Sequence, residues 1–228
     1  MEGCVIIHEV LHELKQKNKK GVILKIDFEK AYDRVSWPFL SEVLERKGFP
    51  HKWIGWIRTC VVGGKVCINI NGERSEFFRT YRGLRQGDPL SPLLFNLVSD
   101  VLAASLDGAK NAGLLSGFVP DLFPGGLTHL QYVDDTVIFI PFEIEQITIT
   151  KFILYCFEDI ASMKVNYHKS EVFTVGLDDN ETFRVAQMLK CPIGKFPMKY
   201  LGLPISPDKI LKHELSFLAQ KMEKKLGV

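Results

Sequence analysis

The sequence predicts an α+β fold, an antiparallel sheet with helices packed on one face. Two observations carry this: strand-like runs arrive both as tight hairpins and separated by segments of helical spacing, and no internal repeat or low-complexity tract interrupts the mixture. Ile6, Ile7, Val10, Leu11 and Leu14 recur at helical spacing up to the run Lys15-Gln-Lys-Asn-Lys-Lys20, whose lysines suit the negative end of a helix dipole, and Gly21 is expected to stop that helix. Val22-Ile-Leu-Lys-Ile26 reads as a strand apolar enough to be central in a sheet. Ser36 caps a helix carrying Phe39, Leu40, Val43 and Leu44, ended by Gly48 and Pro50, and a second helix follows around Trp53, Ile54 and Ile57.

A hairpin comes next, with residues 66–70 and 75–78 flanking Asn71-Gly72, a dipeptide that tolerates the positive φ of a tight turn. Residues 82–92 hold two Gly and two Pro and read as a loop, after which Ser91-Pro92 caps a long helix with Leu93, Leu94, Leu97, Val98, Val101 and Leu102. Residues 113–126 read as loose connection. A second hairpin places Asp134-Asp135 between residues 130–133 and 136–140. The remaining elements are a helix over about 143–162, a strand over 172–175, a helix around 183–189 and the short segment Tyr200-Leu-Gly-Leu-Pro204.

The chain has 228 residues with 46% hydrophobic and 25% charged, an ordinary globular mix for one large domain or two small ones. No uncharged apolar run approaches the roughly 20 residues a membrane span needs, and Met1-Glu2-Gly3-Cys4 does not open a secretory signal, so a soluble intracellular chain is expected. The five cysteines are scattered without C-x2-C spacing, which fits reduced thiols better than a disulfide framework or a zinc knuckle. A net charge of +2 implies neither nucleic-acid nor membrane binding, so any such case must come from a site.

An Asp in or just after an apolar strand is costly unless hydrogen-bonded, paired or metal-bound. Asp27 ends the strand 22–26, and Asp134-Asp135 sit at a hairpin tip. Three acids on strand ends of one sheet can converge on a hard cation such as Mg²⁺, which keeps waters and shares its other positions with substrate phosphates. A pair of such ions roughly 3.5–4 Å apart clamps the attacking and leaving oxygens of a phosphoryl displacement. The plainer reading of Asp134-Asp135 is a turn, where Asp is favoured on conformational grounds.

The surrounding motifs carry a resemblance. Leu24-Lys-Ile-Asp-Phe-Glu-Lys-Ala-Tyr-Asp33, Arg82-Gly-Leu-Arg-Gln-Gly-Asp-Pro-Leu-Ser-Pro92 and Tyr132-Val-Asp-Asp135 resemble, in this order, motifs A, B and C of reverse transcriptases. Asn166-Tyr-His-Lys-Ser170 and Tyr200-Leu-Gly-Leu-Pro204 resemble motifs D and E as spelled in LINE-type (non-LTR) retrotransposons, of the kind common in plants, with group II intron enzymes the nearest competing relatives. The resemblance implies a polymerase palm over 22–205, the helical tail of the fingers over 1–21 and the start of a thumb over 206–228.

It also implies roles. Asp27, Asp134 and Asp135, with the Phe28 backbone, match the ligands of two Mg²⁺ ions, for which Mn²⁺ can substitute. Phe28, Tyr32, Gln86 and Gly87 match the nucleotide site, Tyr32 being the bulky residue that excludes a 2′-hydroxyl. Lys169 matches a proton donor to departing pyrophosphate, and Tyr200, Leu201 and Gly202 match the primer grip. The implied partners are an RNA template, a DNA primer and a deoxynucleoside triphosphate. The family's upstream fingers, full thumb and endonuclease segments are expected to be missing, which implies very weak or no extension by these residues alone. A catalytically silent remnant of such an element is the alternative.

One competing motif remains. His8-Glu9-Val10-Leu11-His12 is a literal H-E-x-x-H, the zinc-hydrolase helix signature, but the metzincin continuation does not follow His12. Two structural expectations follow: the carboxylates of Asp27, Asp134 and Asp135 lie within about one or two metal-ligand spans of each other on one sheet face, with oxygen–metal distances of about 2.0–2.1 Å, and His8 and His12 lack a third ligand.

Overall fold

The computed structural model describes residues 2–209. Its first half runs α1 (Glu2–Gln16), β1 (Gly21–Ile26), α2 (Ala31–Arg34), α3 (Trp37–Arg46), α4 (His51–Val62), the two-residue strands β2 (Lys65–Val66), β3 (Asn69–Ile70), β4 (Glu73–Arg74) and β5 (Phe78–Arg79), and the long α5 (Ser91–Asn111). The second half runs β6 (His129–Tyr132), β7 (Asp135–Pro141), α6 (Ile144–Ala161), β8 (Glu171–Val175), α7 (Asp179–Leu189), β9 (Met198–Tyr200) and β10 (Leu203–Ile205).

Strands β6, β7, β1 and β8, in that order, form one antiparallel sheet with β1 inside it. Successive side chains of a strand point to opposite faces. Val22, Leu24 and Ile26 therefore join Ile138, Ile140 and Val172 in a core shared with α3, α4, α5, α6 and α7. Ile23 joins Val137, Phe139 and Phe173 on the other face. Burial on both faces explains why β1 reads as an unbroken apolar run rather than an alternating one.

The helices from α3 onward share one face, as the sequence predicts, but the opposite face is covered too. Cys4, Ile7, Val10, Leu11 and Leu14 of α1 pack there with Met198, Tyr200 and Ile205 of the β9–β10 hairpin. Gly21 does not stop α1. The helix ends at Gln16, Asn18 takes the left-handed turn (φ 47°) and Gly21 opens β1. Ser36 does cap α3, accepting from Phe39 N at 3.4 Å. Ser91 is not a cap: Leu90 holds that position, Asp88 Oδ1 accepts from Leu90 N at 2.8 Å and Pro92 sits in the first turn.

Asn71 and Gly72 make the first hairpin turn with φ of 53° and 93°. The predicted continuous strands are broken into two ladder pieces whose registers differ by one residue, Asn69 facing Arg74 but Lys65 facing Arg79, and between them Ser75 Oγ, not a backbone carbonyl, accepts from Ile68 N at 2.9 Å. Val66, Ile68, Ile70, Phe77 and Phe78 are all exposed, so no core enforces a longer ladder.

The connection 113–126 is pinned rather than loose. Phe118 and Leu127 form a bridge, and the buried Glu13 carboxylate of α1 accepts from Val119 N, Lys19 Nζ at 2.8 Å and Lys17 Nζ at 3.2 Å. Burial pushes the Glu13 pKa up, but the bonds from Lys19, Lys17 and Val119 outweigh it and hold the carboxyl below its usual value. A folded pKa below the unfolded one gives stability that is complete above the unfolded value, about 4.3, and is lost as pH falls through the folded value. Glu13→Gln is therefore expected to cost about 1–3 kcal/mol at pH 7 in urea denaturation, with the difference from wild type shrinking in acid.

Candidate active site

Asp27 stands just beyond the end of β1. Ile26 pairs with Thr136 in the β1–β7 register, so the next step brings Asp27 alongside Asp135. Asp135 is not part of the turn. It opens β7 and pairs with Tyr132, leaving Val133 and Asp134 as the two-residue tip, with Val133 at φ 56°. A β-branched residue in the left-handed region is a strained choice, and such strain concentrates at working sites.

Electrostatics report the crowding of these acids. Burial raises the Asp135 pKa, the neighbouring carboxylates Asp134 and Asp27 raise it further, and Lys25 only partly offsets them. Beside them, burial pushes the Tyr200 phenol up to about 12, with Asp135 adding to the rise. Tyr32 is raised by burial and then by Asp134, and its ring stacks on Phe95 of α5 with centroids 4.6 Å apart. Two tyrosines, one from α2 and one from the β9–β10 hairpin, thus border the acidic hairpin.

The three carboxylates are neighbours, but they do not close into a cage. Among the described residues no group of three His, Cys, Asp or Glu side chains is gathered tightly enough to hold a metal ion by itself. An open set of hard oxygens whose mutual repulsion a divalent cation would relieve fits a hard divalent ion that completes its coordination with water and substrate phosphates. Asp27 and Asp134 are exposed and Asp135 is partly buried.

A cleft of about 490 Å³ opens beside Asp27, lined by Phe28, Lys30, Arg34, Arg82 and Lys169 among others. Arg34 is engaged by Glu29 at 2.5 Å. The Phe28 side chain is buried, edge-on to Phe157 with centroids 6.1 Å apart, and Phe28 also lines this cleft. Lys30 and Arg82 were not singled out by the sequence reading. The only signal in the sequence is their place within two motifs that contain the named residues, Lys30 inside the first and Arg82 at the start of the second.

Arg82 is brought there by the docking of the 82–84 loop on α2. Gly83 N donates to Val35 O at 2.8 Å, Leu84 N to Tyr32 O at 2.7 Å, and Trp37 Nε1 to Gly83 O at 2.8 Å. Gln86 and Gly87 lie exposed on the turn beyond and do not line the cleft. Tyr200 and Leu201 line a second cleft of about 740 Å³ together with Gly3 of α1 and Tyr132 of the acidic hairpin, while Leu201 and Gly202 form the turn between β9 and β10.

His8 and His12 are both exposed on α1, flanking the stripe that Val10 and Leu11 bury. Asp208, which also lines their cleft, is ion-paired with Lys15. No third ligand joins the two imidazoles among the described residues, so the H-E-x-x-H spacing assembles no zinc site there. Among the described residues no helix is long and apolar enough to cross a membrane.

Residues 2–205 match the family model described as reverse transcriptase (RNA-dependent DNA polymerase). The retrovirus-related Pol polyprotein of the Drosophila melanogaster type-2 retrotransposable element R2DM is 30% identical over 184 residues, 77% of this chain and 16% of that protein. The corresponding R2 polyprotein of Nasonia vitripennis is 33% identical over 116 residues, 51% of this chain and 11% of that protein. The chain thus spans a small part of these two polyproteins. A telomerase from Candida tropicalis, solved with a fragment of telomeric RNA, shares the fold with a TM-score of 0.63 over 96% of this chain and 36% of its own, at 14% identity. The chain belongs to the reverse transcriptase family, as a domain of the non-LTR retrotransposon type.

Proposed function

We propose that this domain carries the nucleotidyl-transfer centre of an RNA-directed DNA polymerase, in which a primer 3′-hydroxyl attacks the α-phosphate of a deoxynucleoside triphosphate and pyrophosphate leaves. The observation that carries the reading is the placement of Asp27 beside Asp134 and Asp135 at one end of the sheet, next to a cleft bearing Lys30, Arg82 and Lys169. Residues 22–205 act as the palm with fingers elements, 1–21 as the tail of the fingers and 206–228 as the start of a thumb, of which 210–228 lie outside the described residues.

Asp27, Asp134, Asp135 and the Phe28 carbonyl would hold two Mg²⁺ ions, with Mn²⁺ as a substitute. When bound, such ions lower the pKa of the attacking hydroxyl and neutralise charge developing on the phosphate. The remaining work belongs to side chains. Lys30 and Arg82 draw the triphosphate into the cleft, and Lys169 stands where a proton can pass to pyrophosphate. The Tyr32 ring, fixed by its stack on Phe95, sits under the sugar and leaves no room for a 2′-hydroxyl. Gln86 and Gly87, exposed outside this cleft, are left to contact the nucleotide and template from the loop side, and the Tyr200–Gly202 turn supports the primer.

The test is extension of an oligo(dT) primer on poly(rA), with this chain alone and with the chain replacing the matching segment of an R2 polymerase. Divalent-dependent incorporation of dTTP is expected in the R2 context and very weak or none from the chain alone, with Tyr32→Ala in that context raising use of the ribonucleotide by roughly the tenfold or more that a sterically excluded group is worth. Incorporation in neither context would favour the silent remnant. Unchanged sugar selectivity in Tyr32→Ala would remove that residue's assigned role.

A further inference from the structure

The β1–β8 ladder stops at Lys25 and Glu171. Two residues on, the backbone of Asp27 is held by one short segment, 164–170. Ser170 Oγ accepts from Asp27 N at 3.0 Å, Asn166 N donates to Asp27 O at 2.7 Å, and Glu29 N donates to Lys164 O at 2.8 Å. A bridge between Phe28 and Val165 lies within this clamp. Ser170 is only 1% exposed, so its hydroxyl supplies a dry acceptor to an N–H that the ladder has abandoned.

The segment is itself wound and braced. Ser170 N and Lys169 N both donate to Asn166 O, at 2.8 and 3.0 Å. Glu158 on α6 accepts from Val165 N at 2.8 Å through one oxygen and from Tyr167 OH at 2.7 Å through the other. Lys151 Nζ stands 3.5 Å from the Tyr167 ring centroid and donates to Leu189 O at 2.8 Å. Hydrogen bonds and a cation–π contact therefore run from α6 to the backbone of an exposed acid whose aim depends on how that backbone is held.

We propose that Ser170 is a positioning residue for Asp27: its hydroxyl, in a turn braced on α6 by Glu158 and Tyr167, fixes the direction in which the Asp27 carboxylate meets a divalent cation. This rests on the metal-binding role proposed for Asp27. Ligand groups held by such outer partners bind metal more tightly than unsupported ones, commonly by about 10- to 100-fold. Tyr167 acts one link further out, so its removal has the smaller effect.

Mn²⁺ binding to the 228-residue chain, read by electron paramagnetic resonance of the free ion, tests this without requiring turnover. Ser170→Ala should weaken Mn²⁺ by about tenfold, Ser170→Thr should hold the wild-type value by keeping an oxygen in place, and Tyr167→Phe should fall between. Asp134→Asn is the control for the metal site, and circular dichroism reports the folded fraction of each variant. Wild-type affinity in Ser170→Ala, or in Tyr167→Phe if Ser170→Ala does not fold, with binding lost in Asp134→Asn, would overturn the clamp and leave the metal site standing. A wild-type chain that binds no Mn²⁺ would overturn the metal site and the clamp with it.

Discussion

Asp134→Asn is expected to lower RNA-templated incorporation by roughly a thousandfold or more, the scale on which removing one charge-stabilising group acts, while the fold becomes slightly more stable. Asn keeps the shape of the exposed side chain and removes one negative charge from a cluster whose members repel each other. Asp135 reports that repulsion. Its folded pKa is raised, by burial and by Asp134 and Asp27, above its unfolded value. Ionising it therefore costs folded-state stability, a cost absent below the unfolded pKa near 3.9 and complete above the raised folded value. Asp134→Asn relieves part of it at neutral pH, by about 0.5–1 kcal/mol for a partly exposed pair. Urea denaturation at pH 4 and pH 7 should show the larger gain at the higher pH, shrinking toward zero as pH falls below the unfolded pKa. Loss of stability together with activity would mean that Asp134 serves the fold.

Gly83→Ala is expected to cost roughly 2–4 kcal/mol of stability. Gly83 has φ 94°, and a Cβ there would lie 2.7 Å from the carbonyl oxygen of Asp33. Neither backbone can yield freely, because Gly83 N and O are both bonded, to Val35 and Trp37. Relief requires the loop to lift from α2, carrying Arg82 from the cleft and breaking the bond from Leu84 to Tyr32. Gly87 is the comparison: its φ is 82° but a Cβ would meet nothing within 4 Å, so Gly87→Ala should cost only the left-handed strain, about 1–2 kcal/mol. Equal losses in the two variants would show that conformational strain acts at Gly83 and the contact with Asp33 does not.

These expectations also mark what could be read in the chain beforehand. The strands β1 and β7 and the helices α3 and α5 announce themselves because their apolar residues face a core, where burial enforces the period. The hairpin from β2 to β5 was legible at its turn and illegible along its length, since exposed strands are set by local side-chain bonds such as that of Ser75. Asp135 was placed in the turn because two adjacent acids look alike. Pairing with Tyr132 makes one a strand residue and the other a tip. The covering of the second sheet face by α1 was hidden, because an amphipathic stripe does not say which face it meets. The family motifs named the acids, yet the clamp by Ser170 and the cations Lys30 and Arg82 depend on loop docking, which spacing does not encode.

The most direct measurement is paramagnetic broadening of backbone amide resonances as Mn²⁺ is titrated into the isotopically labelled chain. The expected result is that resonances of residues 26–28 and 133–136 broaden first and together, and that Asp134→Asn removes the effect. Early broadening confined to the α1 residues around His8 and His12, with the acidic hairpin untouched, would contradict a metal-dependent transfer centre built on Asp27, Asp134 and Asp135.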